Sequence, residues 1–127
     1  MKFCTAINCM DGRVQLPVID YLRQKFEATY VDMITEPGPN RILADKTDLV
    51  LIKSIFDRIE ISVKKHKSEG IAIIGHYDCA GNPTPREEQK VHTLNAVKIL
   101  KKKYRDLEII GLWIDENWNV TELKENF

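Results

Sequence analysis

Apolar residues along the chain alternate between two spacings, which predicts strands separated by helices. Four short apolar segments, at residues 3–8, 30–34, 71–75 and 108–114, are typical of buried strands. Between them, apolar residues recur every three or four positions, which is the period of an amphipathic helix. The predicted order of elements is therefore βαβαβαβ.

The ends of the three predicted helices carry residues that favour helix starts and stops. Pro17 suits the first position of the first helix. Thr47 can cap the second helix, which we expect to end at Gly70. Residues 84–87 combine a capping box with Pro85 at the first position of the third helix, whose end is the basic run 101–103. The residues expected along the helix faces are Val18, Ile19, Leu22 and Phe26, then Ile52, Ile55, Ile59 and Val63, then Val91, Leu94, Val97 or Lys98, and Leu100 or Lys101.

This order of elements predicts an α/β fold. Strands joined by helical crossovers form a parallel sheet with right-handed connections. We expect a three-layer α/β/α arrangement around a mostly parallel four-stranded sheet. Residues 36–40 are predicted to be a turn, and residues 118–123 either a short return strand or a tail. Ligands bind such sheets beyond the carboxyl ends of the strands, so chemistry is expected there.

Composition sets the broad class of protein. The 127 residues (14.7 kDa) are enough for one domain, predicted over residues 1–127. Lysine plus arginine and aspartate plus glutamate both number 19, and this zero net charge argues against a nucleic-acid partner. No apolar run approaches the roughly 20 residues of a membrane span. The first residues lack the layout of a signal peptide, so we expect a cytoplasmic protein.

Three cysteines are too few for a disulfide scaffold, which leaves metal ligands, nucleophiles or core residues. Cys9 directly follows the first predicted strand, and His76 and Cys79 directly follow the third. Two thiolates and one imidazole are a known zinc set with a fourth position left open. A lone buried cysteine is usually a core residue. We accept that assignment for Cys4, and for the other three residues together we predict zinc ligation.

Asp11 and Arg13 come two and four residues after Cys9. In an extended loop, residues two apart point to the same side, so both side chains can face the metal with Cys9. Arg13 can hold Asp11 in a bidentate ion pair. Asp11 would then accept a hydrogen bond from a zinc-bound hydroxide and orient it. The alternative is that the two residues only cap a helix and pair at the surface.

The pattern C-x-D-x-R at residues 9–13, followed by H-x-x-C at residues 76–79, resembles the signature of the beta-class carbonic anhydrases. The resemblance implies strand order 2-1-3-4 and homodimers or larger homo-oligomers with the pocket near the subunit interface. It implies Cys9, His76 and Cys79 as zinc ligands, with Asp11 and Arg13 as the catalytic pair. The implied reaction is reversible hydration of carbon dioxide to bicarbonate by a metal-bound hydroxide.

The sequence departs from the family pattern in several places. The chain is shorter than typical members, and a substrate-binding glutamine of the family would lie ahead of the first strand. Ala80 separates Cys79 from Gly81, and residues 35–40 replace a conventional pocket loop. Two alternatives therefore stay open. One is hydrolysis of a related heterocumulene, carbonyl sulfide or carbon disulfide, and the other is an inactive zinc-binding or regulatory module.

The remaining histidines and tryptophans give weaker signals. His66 lies in a basic run and is predicted to be a solvated helix end. His92 is expected to be either exposed or in the core, and either histidine could shuttle protons. Trp113 and Trp118 are predicted to be core or dimer contacts.

Overall fold

A five-stranded sheet forms the centre of the computed structural model, which describes residues 2–125. The strand order is β2-β1-β3-β4-β5, where the first four strands are parallel and β5 runs antiparallel to β4. The strands are β1 (Phe3–Cys9), β2 (Tyr30–Glu36), β3 (Gly70–His76), β4 (Glu108–Ile114) and β5 (Val120–Glu122). The expected order 2-1-3-4 is confirmed, and the predicted return strand is present.

Helices cover both faces of the sheet, which confirms the three-layer prediction. They are α1 (Gln15–Lys25), α2 (Pro39–Asp45), α3 (Leu49–Glu60) and α4 (Arg86–Lys103). A π-helical turn, Ile61–Lys65, continues α3. The apolar residues of α1 pack on one face, and those of α2, α3 and α4 pack on the other. Among residues 2–125, no helix has both the length and the apolar character that crossing a membrane requires.

Burial in the sheet follows from the sequence pattern. Every residue of β3 is buried, as expected for a central parallel strand with helices on both faces. Ile7 of β1 lies beside Ile34 on one side and Ile73 on the other, on the face covered by α2, α3 and α4. Cys4 and Ala6 point to the opposite face and pack under α1.

The helix starts differ from the predictions by one or two residues. Helix α1 begins at Gln15, so Pro17 lies in its first turn, where a missing N–H has no intrahelical partner to lose. The Asp48 side chain, and not Thr47, caps α3 by accepting from the Leu51 N–H at 3.0 Å. The predicted capping box of α4 is wrong, because the Thr84 hydroxyl donates to Asn82 at 2.9 Å instead.

The predicted turn at residues 36–40 is only half right. Gly38 has a left-handed backbone (φ 64°), and α2 starts directly at Pro39. Proline is well suited to the first helical position, so the same Pro-Gly-Pro sequence serves both a turn and a helix start. This short helix places Asn40 in the interior of the protein.

The buried face of α4 also differs from the apolar pattern. Val97 and Leu100 are buried as expected, but Val91 is 56% exposed. Gln89 and Thr93 are buried in its place, and both make hydrogen bonds inside the protein. Polar residues are tolerated on a buried face when they are satisfied in this way.

Replacing Leu100 with alanine should lower the free energy of unfolding by about 2–5 kcal/mol, because it leaves a cavity in the core. The matched change Val91→Ala on the same helix should cost no more than about 0.5 kcal/mol. Urea denaturation of both variants measures the difference. Equal losses would contradict the observed orientation of α4.

Candidate metal centre

Three side chains that can hold a metal meet at the carboxyl edge of the sheet. Cys9 is the last residue of β1, His76 is the last residue of β3, and Cys79 lies in the loop that follows. The two sulfur atoms are 3.8 Å apart, and one ligand atom from each residue lies within 4.8 Å of the others. The structure therefore brings together the three residues that the sequence analysis selected.

The ring of His76 is oriented by its own main chain. Its Nδ1 lies 2.7 Å from the carbonyl oxygen of Tyr77, so Nδ1–H donates there and the neutral ring keeps a lone pair on Nε2. Nε2 is buried and has no hydrogen-bond partner among the described residues. A buried nitrogen without a partner is costly, and a metal ion is one group that would satisfy it.

The two cysteines form a hydrogen-bonded pair without a disulfide. The hydrogen bond from Cys79 lowers the pKa of the Cys9 thiol well below its usual value, although burial acts in the opposite direction. The same hydrogen bond and burial both raise the pKa of the Cys79 thiol. The two buried sulfurs share one proton. A divalent cation that binds both sulfurs as thiolates takes the place of that proton.

The donor set fits zinc in both chemistry and spacing. Two thiolates and an imidazole are ligands that zinc prefers, and three protein ligands leave a fourth tetrahedral position free. Two sulfurs bound to a tetrahedral zinc ion at about 2.3 Å lie about 3.8 Å from each other. The observed distance between the sulfurs of Cys9 and Cys79 is 3.8 Å.

Main-chain N–H groups act on the pKa of both sulfurs. Those of Gly38 and Asp11 lower the pKa of the Cys9 thiol, and those of Asn82 and Gly81 lower the pKa of the Cys79 thiol. Such dipoles favour the thiolate form, which is the form that binds metal. The loops after β1, β2 and β3 thus favour the thiolate form, although the shared proton and burial still raise the pKa of Cys79.

A buried amide network supports His76 from behind. The Gln89 side chain donates to the His76 carbonyl at 2.7 Å and accepts from the His76 N–H at 3.3 Å. Asn40 donates to Gln89 at 3.3 Å and to Thr93 at 3.1 Å, and Asn82 donates to Asn40 at 3.2 Å. The sequence analysis missed these residues. The one signal for Gln89 was its spacing from Thr93, Val97 and Leu100, which puts it on the same face of α4.

Asp11 and Arg13 form the bidentate ion pair that the sequence analysis anticipated. Arg13 Nη2 lies 2.7 Å from Asp11 Oδ2, and Arg13 Nε lies 3.0 Å from Asp11 Oδ1. These hydrogen bonds lower the pKa of the Asp11 carboxyl to about 2. The loop is not extended, however: Asp11 caps a short 3₁₀ turn, Gly12–Val14, and accepts from the Arg13 N–H at 2.9 Å.

The other residues considered from the sequence lie outside this cluster. Cys4 is fully buried in the core, as predicted. His66 follows the π turn, and its Nδ1 lies 2.6 Å from Asp32 Oδ2, so it is a half-exposed hydrogen-bond partner of Asp32. His92 is linked to the amide network by a 3.0 Å hydrogen bond with Asn82.

Comparison with known proteins identifies the family. A family model described as "Putative carbonic anhydrase" matches residues 1–124. No protein with curated annotation matches the sequence significantly. The chain belongs to this carbonic anhydrase family, in agreement with the resemblance inferred from residues 9–13 and 76–79.

Solved carbonic anhydrases, among them beta-carbonic anhydrases, share the fold. A structure of a variant of CafD from Aspergillus fumigatus superimposes with a TM-score of 0.70 at 17% identity, covering 98% of this chain and 90% of that one. Sordaria macrospora enzymes described as tetrameric give a TM-score of 0.66 at 18% identity, with 98% and 81% covered. The Glaciozyma antarctica enzyme gives 0.64 at 15% identity, with 93% and 80% covered.

Removing the amide behind His76 should weaken metal binding. We expect Gln89→Leu to lower the affinity for zinc roughly 10–100-fold, because the main chain at His76 loses both contacts that hold it. Competition with a chromophoric chelator measures this affinity. The control is Thr93→Val, which alters the same network without touching His76 and should keep the affinity near wild type. Equal losses in the two variants would assign the effect to general destabilisation.

Proposed function

We propose that this protein binds one zinc ion through Cys9, His76 and Cys79 and catalyses the reversible hydration of carbon dioxide to bicarbonate. Asp11 and Arg13 are the catalytic pair in this proposal. Zinc held by these ligands would supply a Lewis acid that activates water at neutral pH. Carbon dioxide and water give bicarbonate and one proton, and the proton leaves to buffer.

The observation that carries this proposal is the unpartnered nitrogen of His76 beside two sulfurs at the spacing of a zinc site. Family membership alone does not show that the candidate metal centre is intact. The cluster of three candidate ligands supports an intact centre, and the ion pair of Asp11 with Arg13 adds an oriented carboxylate two residues after Cys9. Together they favour a hydrating enzyme over an inactive binding module.

The ion pair fixes both the charge and the direction of the Asp11 carboxylate. With its pKa held near 2, Asp11 is ionised at any pH at which the protein would work, so it can only accept hydrogen bonds. Oδ1 accepts from both the main-chain N–H and the Nε–H of Arg13, so Oδ2, whose main donor is Nη2 at 2.7 Å, is the oxygen that keeps a lone pair for another donor. Asp11 is therefore able to accept a hydrogen bond from the attacking water and to orient that water toward the substrate carbon. Arg13 keeps Asp11 from turning to the ligand cluster as a fourth ligand.

We further propose a homo-oligomer whose interface adjoins the site, either a homodimer or a larger assembly. Three large apolar side chains near the site are exposed in the single chain: Met10, Leu16 and Tyr77. Apolar surface beside a functional cleft favours burial against a second copy. Sedimentation measures the mass directly.

The cytoplasmic location inferred from the sequence stays a prediction.

A pair of cysteine variants in β1 tests the metal centre. Cys9→Ala should lose bound zinc, measured by elemental analysis, and its carbon dioxide hydration should fall to the buffer background in stopped-flow assays. Cys4→Ala is the matched control, because Cys4 lies in the same strand and is buried away from the cluster. It should keep about one zinc per chain and its activity.

Two outcomes would reject the proposal. Zinc retained by Cys9→Ala would place the metal elsewhere. Sulfide release from carbonyl sulfide or carbon disulfide by the zinc-loaded protein, without hydration of carbon dioxide, would assign the site to heterocumulene hydrolysis instead.

Neutralising Asp11 should separate metal binding from turnover. Asp11→Asn keeps the shape of the side chain but makes the amide nitrogen a donor, so we expect zinc content to stay at the wild-type level. We expect kcat/KM for carbon dioxide to fall roughly 100-fold or more, the usual scale for losing a positioned proton acceptor. Activity within twofold of wild type would show that the ion pair is only structural.

A further inference from the structure

Two strained backbone positions converge on Arg13. Within residues 2–125, five residues other than glycine have a positive φ. Three of them follow helix ends, where this conformation is common: Glu27, Lys46 and Lys67. The other two, Asp78 (φ 57°) and Trp118 (φ 63°), are not at helix ends, and both contact the guanidinium of Arg13.

Trp118 covers one face of the Arg13 side chain. The guanidinium carbon lies 4.7 Å from the centroid of the indole ring, which is within the range of a cation–π interaction. A bulky residue at this φ costs stability, and such strain persists where the surrounding structure requires it. The strain at Trp118 therefore needs an explanation beyond turn formation, for which glycine would serve better.

The turn between β4 and β5 holds Trp118 in this position. The Trp118 N–H donates to the carbonyl oxygen of Asp115 at 2.9 Å. The Asp115 side chain accepts from the N–H groups of Asn117 and Asn119 at 2.9 Å and 3.0 Å. Since these bonds lock the turn, the indole is a fixed surface against which Arg13 packs.

Hydrogen bonds from its nitrogen atoms hold the edges of the Arg13 guanidinium. Nη1 donates to the Asp78 carboxylate at 3.2 Å, and Nη2 donates to the Asp78 carbonyl at 3.1 Å. The remaining contacts, from Nε and Nη2, go to Asp11. Arg13 is half-exposed, and an exposed ion pair alone would not keep one geometry. Contacts from Asp78 and Trp118 compensate for that exposure.

We propose that Trp118 is a positioning residue of the site: its indole, presented by the β4–β5 turn, holds the guanidinium of Arg13 and through it the Asp11 carboxylate. The contact itself is a property of the folded chain. Its effect on turnover rests on the proposed function, so the two are tested by separate measurements.

Kinetics of two Trp118 variants test the effect on turnover. Trp118→Gly relieves the backbone strain but also removes the packing of the indole against the core, so its melting temperature should fall and the kinetics are measured well below it. Its kcat/KM for carbon dioxide should nevertheless fall roughly three- to tenfold, the scale of a lost cation–π contact. Trp118→Phe restores an aromatic face and should recover at least half of that loss.

NMR of the full-length protein detects the contact between Trp118 and Arg13 independently of activity and of metal. The Arg13 Nε–H resonance is assigned by its loss in Arg13→Lys. In Trp118→Gly it should move away from its ring-shifted position and exchange faster with water. Trp118→Phe should keep a ring shift and slow exchange. The control Trp113→Phe changes the other tryptophan, whose ring lies beside Lys90 of α4, and should leave the resonance unchanged.

The outcomes separate the two proposals. An Arg13 resonance unchanged in Trp118→Gly overturns the positioning role whatever the kinetics show. An activity loss that appears only near the melting temperature of the variant, or that Trp118→Phe does not restore, also overturns it. If the zinc-loaded wild-type protein does not hydrate carbon dioxide, the proposed function fails, and the NMR result alone decides whether Trp118 holds Arg13.

Discussion

Contact between the main chains at Gly38 and Gly81 is the constraint on which the candidate metal centre depends. A Cβ atom on Gly81 would lie 2.3 Å from the carbonyl carbon of Pro37, and one on Gly38 would lie 2.7 Å from that of Gly81. No side chain fits between these loops. Because they touch, the N–H groups of both loops act on the cysteines: that of Gly38 lowers the pKa of Cys9, and that of Gly81 lowers the pKa of Cys79. These dipoles offset part of the cost of burying two sulfurs side by side.

Rigid elements hold the rest of the site. His76 is fixed on one side by its place in a fully buried strand and on the other by Gln89 from α4. Arg13 is fixed by Asp78 and by Trp118 from the β4–β5 turn. Each functional side chain is thus braced by an element remote in sequence. Such bracing maintains the geometry that a metal ligand or an oriented carboxylate needs.

The sequence analysis was accurate where a property is local. Strand positions followed from short apolar segments, and the sheet order places the ends of β1 and β3 side by side, where Cys9 and His76 meet. It was inaccurate where packing overrides the local pattern. Val91 looks like a core residue but is exposed, because Gln89 and Thr93 satisfy their polar groups inside the protein and occupy the buried face of α4.

The sequence by itself determined which chemical groups stand at the strand ends, since residue spacing and periodicity act over a few neighbouring positions. That was enough to select the three candidate ligand residues and the acid–arginine pair that follows Cys9. Only the tertiary structure decided which groups support them: the N–H groups at the sulfurs, the Gln89 amide behind His76, and the Trp118 indole over Arg13. These contacts join residues dozens of positions apart, and their distances are set by how helices and loops pack on the sheet, which no local pattern encodes.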